Sequence, residues 1–167
     1  MLDMENLIIA GIAGLVGYFI RGFIDSFYRR RHDKYLSKIE ADQKVFKLLK
    51  DVLRWDESIG FMREQDFYAG FQGSSLKPFF KFKEYCECNP SFIFIDKKLE
   101  KLRKKLYKEI FSFLNITGKH VFSDGHWSKV YPEFERDDPK VKSVSNELND
   151  IANKICKTYD DLLKNKN

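Results

Sequence analysis

The feature that most constrains this chain is an apolar run close to its N-terminus. Residues 7–20 contain no charged side chain, and the longer stretch 7–24 contains one, Arg21. At about 1.5 Å per residue, a helix over 7–24 would span about 27 Å, close to the thickness of a hydrocarbon core. Its strongly apolar side chains together favour insertion by about 3 to 6 kcal/mol. The run therefore predicts a single transmembrane anchor helix, assigned to residues 1–28.

Two alternatives to an anchor can be judged from the flanking residues. A cleaved signal peptide needs a basic start and small residues at its cleavage site. Here the start carries Asp3 and Glu5, and the run leads into Arg29, Arg30 and Arg31, so cleavage is not expected. A buried core helix stays open as the second alternative, because 14 uncharged residues are few for a membrane span.

The charges around the run predict its orientation. Cytoplasmic flanks of membrane helices carry an excess of Lys and Arg. We therefore expect a cell-membrane protein with its N-terminus outside and residues 29–167 as a cytoplasmic domain. The positive charges expected at the lipid interface all lie at or after the C-terminal end of the run: Arg21, Arg29, Arg30, Arg31 and Lys34.

Small side chains form a stripe along the predicted anchor. Ala10, Ala13, Gly14 and Gly17 follow the i, i+3, i+4, i+7 spacing of one helix face. Such residues let helix backbones approach closely in lipid. The stripe predicts a homo-oligomer formed through the transmembrane helix, although small residues are also common in membrane helices that do not self-associate.

The pattern after residue 28 predicts a mainly α domain. Apolar side chains recur at helical spacing, and nine Gly and four Pro are few for an all-β protein. The expected fold is one N-terminal transmembrane helix followed by a cytoplasmic antiparallel helical bundle with coiled-coil-like seams. We expect helices from the anchor to about residue 55, and then over 61–71, 76–86, 92–115 and 139–163.

Helix breakers and caps suggest where these helices end. Gly60 and Gly118 are each expected to end a helix, and Gly73 with the two serines after it should separate two short ones. Asp137 or Asp138 should cap the last helix. The stretch 119–138 is expected to be irregular, with a small hairpin near its start as the alternative.

No motif of a common enzyme class occurs in the chain. A Gly-rich phosphate loop, H-E-x-x-H and G-x-S-x-G are all absent from the sequence, so we expect neither an enzyme nor a cofactor. The three cysteines, Cys86, Cys88 and Cys156, are too few for a disulfide framework and are expected to be free thiols.

Two sets of polar residues nevertheless resemble sites. His120, Asp124 and His126 could offer two imidazoles and a carboxylate to a metal, but no fourth ligand lies nearby, and ordinary loop histidines are the favoured interpretation. Asp42 interrupts an apolar helix stripe. We expect it to make a structural hydrogen bond to a Lys, Arg or Tyr.

A row of lysines marks the helix expected at 92–115. Lys97, Lys101, Lys104 and Lys108 recur at helical spacing. A solvated helix face is the simplest interpretation, and an anionic lipid or a partner surface is the functional one. Nucleic acid ranks below lipid, because no aromatic residues interleave with these lysines and no known nucleic-acid motif surrounds them.

These observations favour a non-enzymatic module over a catalyst. The leading hypothesis is a single-pass, membrane-tethered helical module that self-associates or recruits an unknown protein partner at the membrane. The aromatic-rich segment 61–88 would supply either the contact surface or the core. The alternatives are a toxin or defence effector that oligomerises through its transmembrane helix to perturb the bilayer, and an enzyme or metal site at the His120–His126 loop.

Overall fold

The computed structural model describes residue 28 and residues 30–165, apart from the side chain of Asp124. The chain divides into two compact units, Met1–Glu40 and Ala41–Asn167. The described residues of the first unit are helical, and Arg30, Arg31 and Lys34 are exposed.

The predicted anchor falls outside the described residues. So do the stripe residues Ala10, Ala13, Gly14 and Gly17, together with Arg21 and Arg29. Among the residues that are described, no helix is long and apolar enough to cross a membrane. The anchor, its orientation and the division at residue 28 stay predictions.

The second unit is mainly helical, as predicted, and also contains a small antiparallel sheet. Its first helix, α1, covers 41–52. Two short turns accompany the remaining elements, a π-helical turn over Trp55–Ile59 and a 3-10 turn over Gly73–Leu76. The elements after α1 are α2 (Gly60–Glu64), β1 (Phe71–Gln72), α3 (Lys77–Cys88), α4 (Lys97–His120), β2 (Val121–Asp124), β3 (Trp127–Val130) and α5 (Pro139–Lys164).

Gly60 begins a helix instead of ending one. The break after α1 lies at Arg54, whose backbone is extended with φ −66° and ψ 134°. Gly60 is itself helical and starts α2, so its predicted role was wrong. A Cβ at Gly60 would lie 3.3 Å from the carbonyl oxygen of Trp55, so the absence of a side chain suits the tight π-helical turn.

The segment after α2 is more irregular than the two helices predicted there. Gly70 has φ +80°, and a Cβ there would lie 2.8 Å from Cγ of Lys129. Glycine allows both this conformation and the close approach to β3, so the chain can pair with β3 at β1. Gly73 then opens the 3-10 turn that leads into α3, which confirms the helix predicted over 76–86 with shifted ends.

The helices predicted over 92–115 and 139–163 are confirmed as α4 and α5, with shifted ends. Asp138 caps α5 by accepting a hydrogen bond from the amide of Lys140, and Pro139 occupies the first turn. α4 continues through Gly118 to His120, so the predicted stop at Gly118 was wrong. A side chain at Gly118 would meet nothing within 4 Å, and the helix ends where Val121 starts a strand.

The small hairpin, predicted as an alternative, is present. β2 and β3 pair antiparallel around a two-residue turn, and β1 adds to the other edge of β3. Gly125 has φ +63° at the first turn position, as a type II′ turn requires. Ser123 and Ser128 share a hydrogen bond of 2.8 Å on the face that carries the buried Val130.

The core of this unit lies between α5, α4 and the aromatic segment 61–88. Within that segment, Phe67, Phe71, Phe79 and Phe82 are fully buried, whereas Phe80 is exposed. The segment therefore supplies mainly core, and its interpretation as a contact surface was wrong for these four rings. Edge-to-face contacts join Phe67 to Phe71 and to Phe113 of α4.

α4 and α5 run antiparallel along this core. The beginning of α4 lines a groove with Asp161 and Asn165 from the end of α5, and its later part lies beside Glu147 and Ile151 from the first half of α5. The hydroxyl of Tyr159 donates to the carbonyl of Leu53, which attaches α5 to the end of α1.

Three carboxylates organise the beginning of α4. Asp42 on α1 accepts hydrogen bonds from the amides of Ile95 and Asp96, at 2.5 and 3.0 Å. Asp96 caps the helix by accepting from the amides of Lys98 and Leu99. Glu100 accepts from the amide of Phe94 at 3.1 Å. The predicted structural hydrogen bond of Asp42 is present, but its partners are backbone amides, not a Lys, Arg or Tyr.

Replacing Asp42 by Ala should destabilise the domain by about 1 to 3 kcal/mol, because two backbone amides at the start of α4 lose a charged acceptor. Urea unfolding of the full chain in mild detergent, followed by circular dichroism, measures this. Asp51→Ala is the matched control, since Asp51 is an exposed carboxylate on the same helix. It should change stability by less than about 0.5 kcal/mol. Equal midpoints for the two variants would contradict the role given to Asp42.

Candidate functional site

The predicted lysines are brought together on one exposed side of α4. Lys97, Lys101, Lys104 and Lys108 are all exposed. They line an open groove between α4 and the C-terminal end of α5, called the lysine groove below. Its full lining is Lys97, Lys98, Glu100, Lys101, Leu102, Lys104, Lys105, Lys108, Asp161 and Asn165.

Positive charge in the lysine groove is only weakly compensated. Lys104 approaches Glu100 at 3.7 Å, and Lys105 approaches Glu109 at 3.8 Å. Lys97, Lys101 and Lys108 have no carboxylate within 4.0 Å in the part of the chain that the structure describes, and neither does Lys98. Exposed pairs at such distances contribute little to stability. The groove is therefore a surface of net positive charge.

The position of these lysines on α4 is unfavourable for the helix itself. Lys97 and Lys98 occupy its first turn, where the positive end of the helix dipole repels cations by about 0.3 to 1 kcal/mol each. Lys97 and Lys101 also repel each other at i, i+4, as do Lys104 and Lys108. Asp42, Asp96 and Glu100 offset this repulsion through the capping hydrogen bonds described above.

A charged network lies beneath the groove. Arg103 is buried and donates to both oxygens of Glu100, at 2.8 and 2.7 Å, and to Sγ of Cys86 on α3 at 3.2 Å. Its guanidinium also lies over the ring of Phe92, 5.7 Å from the ring centre. Arg103 thus faces α3 and the core, while the lysines on either side of it in sequence face solvent.

The two half-buried glutamates of α4 have opposite pKa shifts. Burial alone would raise the pKa of Glu100, but the hydrogen bonds and charge of Arg103 outweigh it and lower that pKa. Burial raises the pKa of Glu109, and the Thr158 hydroxyl with Lys105 and Lys154 opposes it only in part. Within the described residues, neither Oε2 of Glu109 nor Oγ1 of Thr158 makes a hydrogen bond of good geometry. Glu109 was not among the residues predicted for a site, because no motif in the sequence surrounds it.

The predicted metal candidates lie at the end of α4 and in the hairpin, and the side chain of Asp124 is outside the described part of the structure. His120 ends α4, and its Nδ1 hydrogen-bonds the hydroxyl of Tyr131. His126 is exposed in the hairpin turn, and Asp124 ends β2. Among the described residues, no three His, Cys, Asp or Glu side chains are grouped as a metal site would need. The hypothesis of a site at this loop gains no support from its geometry.

Tyr131 is held in an unusual backbone conformation beside His120. It has φ 42°, in the left-handed region that bulky residues rarely adopt. Its amide donates to the carbonyl of His120 at 3.1 Å, and its ring packs against that of His120. His120 and Tyr131 therefore join the end of α4 to the end of β3, which is a structural role.

The cysteines are free, as predicted, and their environments differ. Burial raises the pKa of Cys86 to about 11 despite the neighbouring Arg103. Burial likewise raises the pKa of Cys156 to about 11. Cys88 is exposed at the end of α3.

Comparison with models of known protein families, with characterised proteins and with solved structures finds no match for this chain.

Thiol labelling should separate the three cysteines. At pH 8 a thiol with a pKa of about 11 is about 0.1% ionised, so Cys86 and Cys156 should react with iodoacetamide at least about a hundredfold more slowly than Cys88. Mass spectrometry of tryptic peptides measures this, and Cys88→Ser should abolish the fast phase. Unfolding in urea should make all three equally reactive. Rapid labelling of Cys86 in the folded chain would refute its burial.

The two glutamates should respond oppositely to substitution by Gln. The lowered pKa of Glu100 means that it stabilises the fold above the ordinary carboxyl pKa of 4.5, and that this is lost as pH falls through its folded pKa. Glu100→Gln should therefore cost about 1 to 3 kcal/mol at pH 7 and less in acid.

The raised pKa of Glu109 has the reverse consequence, because its ionisation destabilises the fold as pH rises above 4.5. Glu109→Gln should be neutral or stabilising by up to about 1 kcal/mol at pH 7, with the difference vanishing in acid. Thermal unfolding of both variants across pH 3 to 8 provides the measurement. Similar pH profiles for the two would contradict the assigned environments.

Proposed function

We propose that this protein is a single-pass, membrane-tethered helical module that recruits a protein partner at the cytoplasmic face of the cell membrane. The observation that carries the proposal is the lysine groove, an exposed positive surface on a domain with its own core. Self-association through Ala10, Ala13, Gly14 and Gly17 belongs to the same proposal and concerns the anchor.

A domain with its own core supports the proposal that the apolar run is an anchor and the rest of the chain is a binding module. The buried apolar side chains of the described residues lie between Val45 and Leu162, inside the compact unit Ala41–Asn167. The largest of them, including Phe67, Phe113 and Tyr159, are fully buried within that unit. The apolar run at 7–24 has a length and hydropathy that favour lipid.

The character of the exposed surface supports binding over catalysis. The lysines of the groove offer charge and long flexible stems, which suit recognition of an anionic surface. The buried Arg103–Glu100 pair is directed into the domain and fixes the helix that carries them. A tether would raise the effective concentration of this groove at the membrane, so modest affinity is enough for recruitment there.

Disrupting the apolar run should release the chain from the membrane. Leu15→Arg replaces a favourable residue by one that costs insertion, a change of about 3 to 4 kcal/mol at the middle of a span. The wild-type chain should stay in the membrane pellet after alkaline washing, and the variant should move mainly to the supernatant. Leu15→Ile is the matched control and should behave as wild type.

A protease-protection experiment on the same wild-type chain tests its orientation. Protease added outside intact cells should leave the C-terminal domain uncut, and should cut it once the membrane is opened. The proposal fails if the wild-type chain is released without detergent, or if external protease removes the domain from intact cells.

A further inference from the structure

We infer that the lysine groove binds an acidic helix of the partner protein, one whose carboxylates recur at alternating spacings of three and four residues. This inference rests on the proposed function for its location at the membrane, and it specifies the chemistry of the partner and the surface that binds it.

The spacing of the lysines matches a helical ligand. Lys97, Lys101, Lys104 and Lys108 advance by four, three and four residues, so they form one stripe nearly parallel to the axis of α4. Carboxylates at the same spacing on a second helix would face them one by one. Lys98 and Lys105 each lie one residue after a lysine of the stripe and are seven residues apart, so they form a second row beside it.

The shape of the surface favours a helix over a bilayer. The lysines line a groove whose other side is formed by Asp161 and Asn165 at the end of α5, and Leu102 lies among them. A partner helix lying in the groove would place its apolar positions against Leu102 and the lysine stems, with its carboxylates toward the lysines and away from Asp161. A flat membrane surface has no ridge that could fill such a groove.

The uncompensated positive charge of the lysines favours a negatively charged ligand. Lys97 and Lys98 oppose the helix dipole, the stripe is self-repelling, and four of the six lysines have no carboxylate within 4.0 Å among the described residues. Local helix energetics do not explain this pattern. An anionic partner would relieve all three effects at once, and departures from local rules of this kind concentrate at functional sites.

The test uses the full chain in an uncharged detergent and a fluorescent synthetic helix as probe. The probe is an amphipathic peptide of about five turns with Glu at alternating spacings of three and four and Leu beside them. A second peptide of equal composition has its Glu residues distributed around the helix. Fluorescence anisotropy at low and high salt measures binding of each.

The matched variants carry equal charge changes. Lys101→Glu with Lys108→Glu reverses two groove lysines, whereas Lys119→Glu with Lys157→Glu reverses two exposed lysines outside it. We expect the groove variant to lose at least about thirtyfold in affinity and the control less than about threefold. The striped peptide should bind at least about tenfold more tightly than the scrambled one. Circular dichroism confirms that each variant is folded.

Three results would overturn the inference: no binding of the striped peptide at low salt, equal binding of both peptides, or equal losses in both variants. If phosphatidylserine vesicles bind the soluble Leu15→Arg chain through these lysines while the peptide does not bind, the groove is a lipid site instead. The peptide assay is carried out in detergent, so its outcome is independent of whether the apolar run spans a membrane.

Discussion

The arrangement of the domain depends on how α4 begins. Asp42 lies more than fifty residues before the amides of Ile95 and Asp96 that it binds, and thereby attaches α1 to the start of α4. The contact of Phe46 with Phe94, 4.8 Å between ring centres, lies beside this link. Without these hydrogen bonds, the amides at the positive end of α4 would lose an anionic acceptor in a segment crowded with lysines.

Once its start is fixed, α4 presents one face to the core and another to solvent. Leu99, Leu106, Ile110 and Phe113 are buried against the core, and Arg103 is held inward by Glu100 and Cys86. The lysines are consequently turned outward, along the groove beside α5. The positive surface is thus a consequence of the same packing that closes the core, which is why we place binding there and a structural role at Arg103.

Periodicity was enough to predict α4, α5 and their buried stripes, because 3.6-residue spacing is a property of each segment alone. The cap of α5 could be narrowed to Asp137 or Asp138 because a capping aspartate is also a local feature, and the structure shows Asp138. β1 could not, since two residues become a strand only when Gly70 lets the chain approach β3. The partners of Asp42 could not be predicted either. They are backbone amides, which nearly every residue has, so the sequence does not indicate which of them a carboxylate will bind. Arg103 falls on the same helical stripe as Leu99 and Leu106, but nothing in the sequence identifies Glu100 and Cys86 as the partners that hold it there.

Hydrogen exchange at the amides of Ile95 and Asp96 tests most directly whether Asp42 fixes the start of α4. In the full chain both amides should exchange with the slow class formed by the interior of α4, because each donates to a carboxylate that only the folded domain places there. Exchange of both at the rate of an exposed loop, with the interior of α4 still protected, would contradict this account.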